Sequence, residues 1–502
     1  MDWMNHIIYG FQVTFIPMNL LFCAVGVVVG TLVGVLPGIG PTAAMALLLP
    51  ITYQVTPTSS VIMLCGILYG SQYGGSTTSI LVNIPGEAAS IVTCLDGYQM
   101  ARKGRAGPAL GMAAWGSFIA GTISVIALMI VANPLAKLAL SFGPPEYFAL
   151  MCTGLIFVTY LAQGSVLKAI MMALTGIILG NIGLDLVTGQ PKFTLGIPQL
   201  EDGVGVMPVI MGLFGLTEVF TNIEAKQISR VVYETEVKNL WPSLKDWVDS
   251  KWAIVRGTLI GFFLGILPGG GGTLASFLSY GIEKRISKHP QKFGTGIIEG
   301  VAAPESANNA SCGGGLIPLL SLGIPPNVTM AVLFSAFIIH GITPGPLLIT
   351  EHADIFWGLI ASMYLGNILL LVLNLPMIGV WVQLLKIPYG VLFPLILLFC
   401  VIGSYSTGGS TTDIILMLFF GVGGYLMRKF KYEAAALILG YVLGPMIERS
   451  LRQSLLISDG SFAIFVTRPI SAVTLGIAVL LLLSSVLGFT KKSRKTYNEF
   501  KE

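Results

Sequence analysis

Two uncharged polar tracts interrupt an otherwise apolar chain, and they hold the residues best able to do chemistry. The first, Tyr69-Gly70-Ser71-Gln72-Tyr73-Gly74-Gly75-Ser76-Thr77-Thr78-Ser79, runs into a break at Asn83-Ile84-Pro85-Gly86-Glu87. The hydroxyls of Ser76, Thr77, Thr78 and Ser79, with Asn83 beyond them, can replace the water shell of a carboxylate or give oxygens to Na+. A helix-packing seam is the other reading of the same hydroxyls. The second tract is Ala303-Pro304-Glu305-Ser306-Ala307-Asn308-Asn309-Ala310-Ser311-Cys312. Polar and ionisable groups between apolar runs are costly unless they meet a partner, water or an ion. Asn308 and Asn309 are therefore substrate-binding candidates. Glu305 is an ion-coupling candidate for a cation or a proton, and equally stands as the cap of a helix beginning near it. Asp96 is a second ion-coupling candidate, with a loop leading to Arg102 as the alternative.

A third feature tells how such groups are positioned. The segment from Gly26 to Ala44 aligns with Gly257 to Ala275 at an offset of 231 and keeps Gly26, Gly30, Gly34, Leu36, Pro37, Gly38, Gly40, Thr42 and Ala44. Glycines four apart put three hydrogen side chains on one helical face, where another backbone can approach closely. The runs after the two stripes, Leu36-Pro37-Gly38-Ile39-Gly40-Pro41 and Leu267-Pro268-Gly269-Gly270-Gly271, cannot continue a regular helix. New helices starting near Thr42 and Thr273 would present free backbone N–H groups and a positive dipole end, which bind carboxylates without a fixed charge. Gly38, Gly40, Thr42, Gly269, Gly271 and Thr273 thus join the substrate-binding candidates. Paired breaks in two halves are a pointer to a central substrate site, and a connecting loop at the membrane surface is the alternative.

The elements carrying these tracts are membrane helices. Only 10% of the 502 residues are charged, against about 25% in a soluble globular chain, and mean hydropathy is +0.82. The interval between Arg468 and Lys491 holds 22 uncharged residues, long enough to cross about 30 Å of hydrocarbon. Such runs recur and predict an all-α polytopic membrane protein of about twelve transmembrane helices, with an internal two-fold repeat and broken or re-entrant helices. Its expected parts are an N-terminal membrane repeat over 1–222, a polar inter-repeat linker over 223–252, a C-terminal membrane repeat over 253–490 and a basic cytoplasmic tail over 491–502. Basic clusters at Arg102–Arg105, Lys284–Lys292, Arg428–Lys431 and Lys491–Lys495 mark candidate cytoplasmic ends.

Enzyme chemistry has little to work with. The four histidines are scattered, the six cysteines form no Cys-x-x-Cys pair, and the glycine tracts lack the lysine of a phosphate-binding loop. No cofactor or metal is expected, and energy for transport would come from an ion gradient or be absent. A channel or passive permease is the runner-up, and a membrane enzyme acting on lipid-linked substrates a third class.

At these tracts the chain resembles the large membrane subunit of tripartite tricarboxylate transporters, the TctA family. The resemblance rests on Gly34–Pro41, on Tyr73–Ser76 with Asn83–Gly86, on Asp96–Gly111, and on Ala302–Ala310. It implies a multi-pass protein of the bacterial inner membrane. Its partners would be a small four-helix TctB-like membrane subunit and a periplasmic TctC-like solute-binding protein. Its activity would be uptake of citrate or another di- or tricarboxylate by symport, driven by Na+ or H+. The family's Pro-Glu-x-x-Asn-Asn segment corresponds to Pro304–Asn309, and its glycine–proline tracts to 34–42 and 265–273.

Overall fold

A computed structural model of the chain describes residues 2–36, 40–161, 165–185, 188–224, 239–384, 389–408 and 410–486. These residues are overwhelmingly helical. The strands among them are the two-residue pair Gly183–Leu184 and Pro191–Lys192. The chain divides into two compact units, one of Met1–Lys137 with Gly205–Tyr425 and one of Leu138–Val204 with Leu426–Glu502. Gly38, the 225–238 part of the expected linker and the basic tail lie outside the described residues.

Five described helices are long and apolar enough to cross a membrane: Pro17–Val35, Ala106–Ala139, Ala353–Asn374, Thr411–Lys429 and Ala434–Ile457. Two others, Pro57–Val82 and Glu299–Leu322, have 26 and 24 residues and match them in length. They are set apart by composition, because they carry the two polar tracts. The stretch over 312–348 is accordingly not one continuous helix. The 299–322 helix stops at Gly323 in the left-handed region (φ 71°), and a new helix, Val328–Ile339, starts behind the Asn327 cap.

The first unit is built around those two polar helices. Every residue from Thr58 to Val82 and from Gly300 to Ser321 is buried. Each helix is covered by a glycine-striped partner, for a steric reason. A Cβ added to Gly26, Gly30 or Gly34 would come within 3.0 Å of the carbonyl oxygens of Met63, Ile67 and Ser71 in turn. One added to Gly257, Gly261 or Gly265 would do the same to Ala303, Ala307 and Ser311. The opposite faces of the covering helices carry exposed Met18, Leu21, Val25 and Val28, and exposed Val255, Leu259 and Phe263. Small residues inward and large apolar residues outward is the order expected when lipid, not water, surrounds the bundle.

The covering helix Leu244–Ile266 starts inside the interval read as a polar linker. Its start is held by a capping box in which Ser243 and Asp246 exchange hydrogen bonds, and Arg105 donates to Asp246 at 2.5 Å. These polar turns precede the apolar run that begins at Ala253. Burial pushes the Asp246 carboxyl up, but the hydrogen bonds from Ser243 and Arg105 outweigh it and hold the group below its ordinary value of 3.8. A depressed carboxyl stabilises the fold fully above that value and loses its contribution as pH falls through the folded-state value. Asp246→Ala is expected to lower stability by about 1–3 kcal/mol at pH 7. The gap should narrow in melts run at pH below about 3.8 and close only once pH has dropped below the depressed folded-state value, where both proteins lack the charge.

The second unit repeats the small-residue logic. Helices Val166–Gly180 and Ala434–Ile457 meet through Gly176 and Gly180 on one side and Gly440 and Gly444 on the other, each against the partner's backbone. Leu167, Met171, Leu174 and Ile178 face outward. Past these helices Lys192 binds Glu448 at 2.6 Å, and Arg452 joins Asp185 at 2.7 Å and Glu448 at 2.8 Å.

Candidate functional site

On the 299–322 helix, Glu305, Asn308, Asn309 and Cys312 fall at i, i+3, i+4 and i+7, which is one face. That face meets groups from four other elements. Ser76 of the 57–82 helix and Thr93 each donate a hydroxyl hydrogen bond to one oxygen of the Glu305 carboxylate. Asn309 Nδ2 donates to Ser117 Oγ at 2.6 Å, and Gln72 Nε2 to Cys312 Sγ at 2.7 Å. Asn308 Nδ2 donates to Glu87 Oε1 at 2.7 Å. Glu305 is 1% exposed, so nothing but these neighbours and a bound species can solvate it. The helix begins at Glu299, six residues before Glu305, which removes the reading of Glu305 as its cap.

The two helix breaks flank this face. The 17–35 helix ends at Val35, and the next helix, Pro41–Leu48, has no side-chain cap. The 244–266 helix ends at Ile266, and Gly271–Ile286 likewise starts uncapped. Gly269 and Gly271 have φ of 73° and 62°, a conformation only glycine adopts without strain, and this turns the chain sharply enough to restart a helix. Both breaks then reach the same short connector. Thr42 Oγ1 and Thr329 Oγ1 share a hydrogen bond of 2.8 Å, while Gly269 N–H donates to Pro326 O at 2.7 Å. A Cβ on Gly271 would lie 3.8 Å from Asn327 Nδ2, and one on Gly272 would collide with Asn308 Oδ1. That amide oxygen is buried and has no hydrogen-bond partner. The first turn of the 271–286 helix therefore opens onto the Asn308 amide. Chemically the arrangement offers uncapped N–H groups for an anion and, alongside, amide and hydroxyl oxygens near the carboxylates of Glu305 and Glu87 for a cation.

The expected residues thus divide. Ser76, Glu305, Asn308 and Asn309 are brought together, with Thr42, Gly269 and Gly271 at the flanking breaks; Gly40 precedes the first uncapped helix and Thr273 lies in the first turn of the second. Thr78 donates to Val35 O at 2.8 Å and ties its helix to the end of the 17–35 helix, while Ser79 donates to Gly75 O at 2.9 Å within its own helix. Asn83 ends its helix in the left-handed region at φ 58° and is exposed. Asp96 is engaged separately. It accepts from Tyr280 Oη at 2.8 Å and from the N–H groups of Gly294, Gly296 and Ile297 at 2.7–3.0 Å. Sequence reasoning missed Gln72, Thr93, Ser117, Asn327 and Thr329 as site members. Their partners lie far away in the chain, and only the spacing of Gln72 and Ser76 at i, i+4 hinted at a shared face.

Gly272→Ala is expected to leave the fold intact, because the added methyl meets the movable end of Asn308 and no backbone. It should displace the Asn308 amide oxygen while the melting midpoint in detergent stays close to that of the unsubstituted protein.

A family model described as the tripartite tricarboxylate transporter TctA family matches residues 20–439. The chain is 50% identical, over 494 residues and 98% of each chain, to an Agrobacterium vitis protein described as an uncharacterized 52.8 kDa protein in the TAR-I ttuC' 3' region. A second A. vitis protein, described as uncharacterized and in the TAR-II ttuC' 3' region, is 50% identical over 234 residues, which are 47% of this chain and 97% of that one. No solved structure matches the chain.

Proposed function

Because this chain belongs to the tripartite tricarboxylate transporter TctA family, we propose that it is the large permease subunit of a binding-protein-dependent uptake system. The solute is citrate or another di- or tricarboxylate, taken up across the bacterial inner membrane with a cation, Na+ or H+. A TctB-like small membrane subunit and a TctC-like periplasmic binding protein complete the assembly.

The observation that carries this reading is the meeting of both helix breaks at Pro326–Thr329, beside the buried Glu305–Asn308 face. The uncapped starts at Gly40–Thr42 and Gly271–Thr273 supply N–H groups and the positive ends of helix dipoles to the solute's carboxylates. Asn308 and Asn309 shape the floor between them. A cation near Glu305 offsets part of the solute's negative charge, so each raises the occupancy of the other, which is what coupling requires. The repeated glycine–proline tract supports two related halves facing one site, as in other transporters with broken helices.

The test is uptake by the complete three-component system in sealed proteoliposomes, supplied with the solute that the periplasmic partner retains. Accumulation above the external concentration, dependent on an inward Na+ or H+ gradient, is the expected result. Equilibration without accumulation under every gradient would instead indicate a channel or passive permease.

A further inference from the structure

Beside the Glu305 face lies a small cavity of about 10 Å³, room for one water-sized occupant. Five of its lining residues are polar: Tyr73, Ser76 and Thr77 from the 57–82 helix, Ser117 from the 106–139 helix, and Asn374 at the end of the 353–374 helix. All five are at least nine-tenths buried. Two of their polar atoms, Tyr73 Oη and Asn374 Oδ1, have no hydrogen-bond partner. The Asn374 amide has a defined sense, because its nitrogen donates to Leu370 O at 2.9 Å and leaves the oxygen over.

The wall therefore presents oxygen to its occupant. Ser76 uses its hydrogen on Glu305, which leaves oxygen lone pairs. Ser117 Oγ already accepts from Asn309 Nδ2 and keeps a second lone pair. No amine, guanidinium or imidazole lines the cavity, and the remaining wall is apolar. Oxygen-only surroundings suit a hard cation. The nearest carboxylate, Glu305, lies one hydroxyl away behind Ser76. The other buried carboxylate of this face, Glu87, is engaged by the Asn308 amide, so one negative charge adjoins the cavity; it balances one positive charge and leaves a divalent ion uncompensated.

We propose that this cavity is a binding site for one dehydrated alkali cation, Na+, held by Tyr73, Ser76, Thr77, Ser117 and Asn374, with Glu305 as its charge partner through Ser76. The inference rests on the reading of the protein as cation-coupled and deepens it. The ion sits in a pocket of neutral oxygens, and its link to the solute runs through Ser76–Glu305 and Ser117–Asn309, two hydrogen-bonded bridges to the face that carries Asn308.

The test is direct binding of radioactive 22Na+ to the purified full-length protein in detergent, in a Na+-free choline background. Saturable binding is expected, weakened about tenfold or more in Asn374→Ala and in Ser117→Ala. Asn374→Asp keeps the shape and adds a charge, so it should bind Na+ more tightly than wild type at neutral pH, which a merely structural role for the side chain would not produce. Wild-type affinity in all three variants, or no saturable binding, would overturn the assignment and leave water as the occupant. Gradient-driven uptake measured in parallel keeps the two readings apart. Accumulation driven by Na+ together with unchanged affinity in the variants removes the cavity and spares the coupling. Absence of accumulation under every gradient removes the coupling, and the binding data alone then decide whether the cavity takes Na+.

Discussion

Glu305→Gln is expected to cut gradient-driven carboxylate uptake by about 10–100-fold while the protein still folds and inserts. The magnitude follows from the worth of hydrogen bonds to a charged group, about 1.5–3 kcal/mol, converted to a rate ratio. Glutamine keeps the volume and one accepting oxygen, so one of the Ser76 and Thr93 hydroxyls retains its partner. What disappears is the negative charge at a position 1% exposed, where no water can replace it. Binding and coupling should part company in this variant. Solute affinity measured at equilibrium should fall less than accumulation does, because in the proposed cycle Glu305 serves the cation and not the solute. Uptake by Glu305→Gln that matched wild type and kept its gradient dependence would remove the carboxylate from the mechanism. Glu305→Ala is a poorer probe, since it strands two buried hydroxyls and a cavity together.

The glycine stripes give the second large effect. Gly261→Leu and Gly30→Leu should each prevent the protein from reaching its folded state in useful yield. The side chain has no room, since even a Cβ at these positions overlaps the carbonyl oxygens of Ala307 and Ile67, and a backbone cannot swing aside as a side chain can. Alanine at either position should be milder, at about 1–3 kcal/mol of destabilisation, read as a lowered melting midpoint in detergent. The internal control is Gly281→Ala, in the helix that restarts after the second break, where an added Cβ meets nothing within 4 Å. There the usual helix preference for alanine over glycine applies, and stability should rise by about 0.5–1 kcal/mol. If Gly281→Ala and Gly261→Ala moved the melting midpoint equally, close helix contact would not be the reason for the stripe.

These outcomes separate what the amino-acid order determined by itself from what the fold decided. Composition alone required lipid-facing helices, because a chain with so few charges has nothing to meet water with. The four-residue glycine spacing announced two close helix contacts, and the proline–glycine runs at 36–41 and 267–271 announced two restarts, because local backbone geometry depends on neighbouring residues. The αL stop at Asn83 and its counterpart at Gly323 belong to the same class of local signal. The polar tracts showed where polar groups had to be tolerated inside an apolar structure.

Which hydroxyl serves which partner was a different matter. Ser76, Thr78 and Ser79 look alike along the chain, yet one binds Glu305, one ties down Val35 and one folds back on its own helix. Asp96 and Glu305 were both candidates, Asp96 the weaker, until the backbone N–H groups of Gly294, Gly296 and Ile297 closed around the first and the hydroxyls of Ser76 and Thr93 around the second. The convergence of Thr42 with Thr329 spans 287 positions, and the opening of Gly272 onto Asn308 depends on how two helices cross. Such contacts are set by three-dimensional packing of segments distant in sequence, for which a single chain of residues carries no local signature.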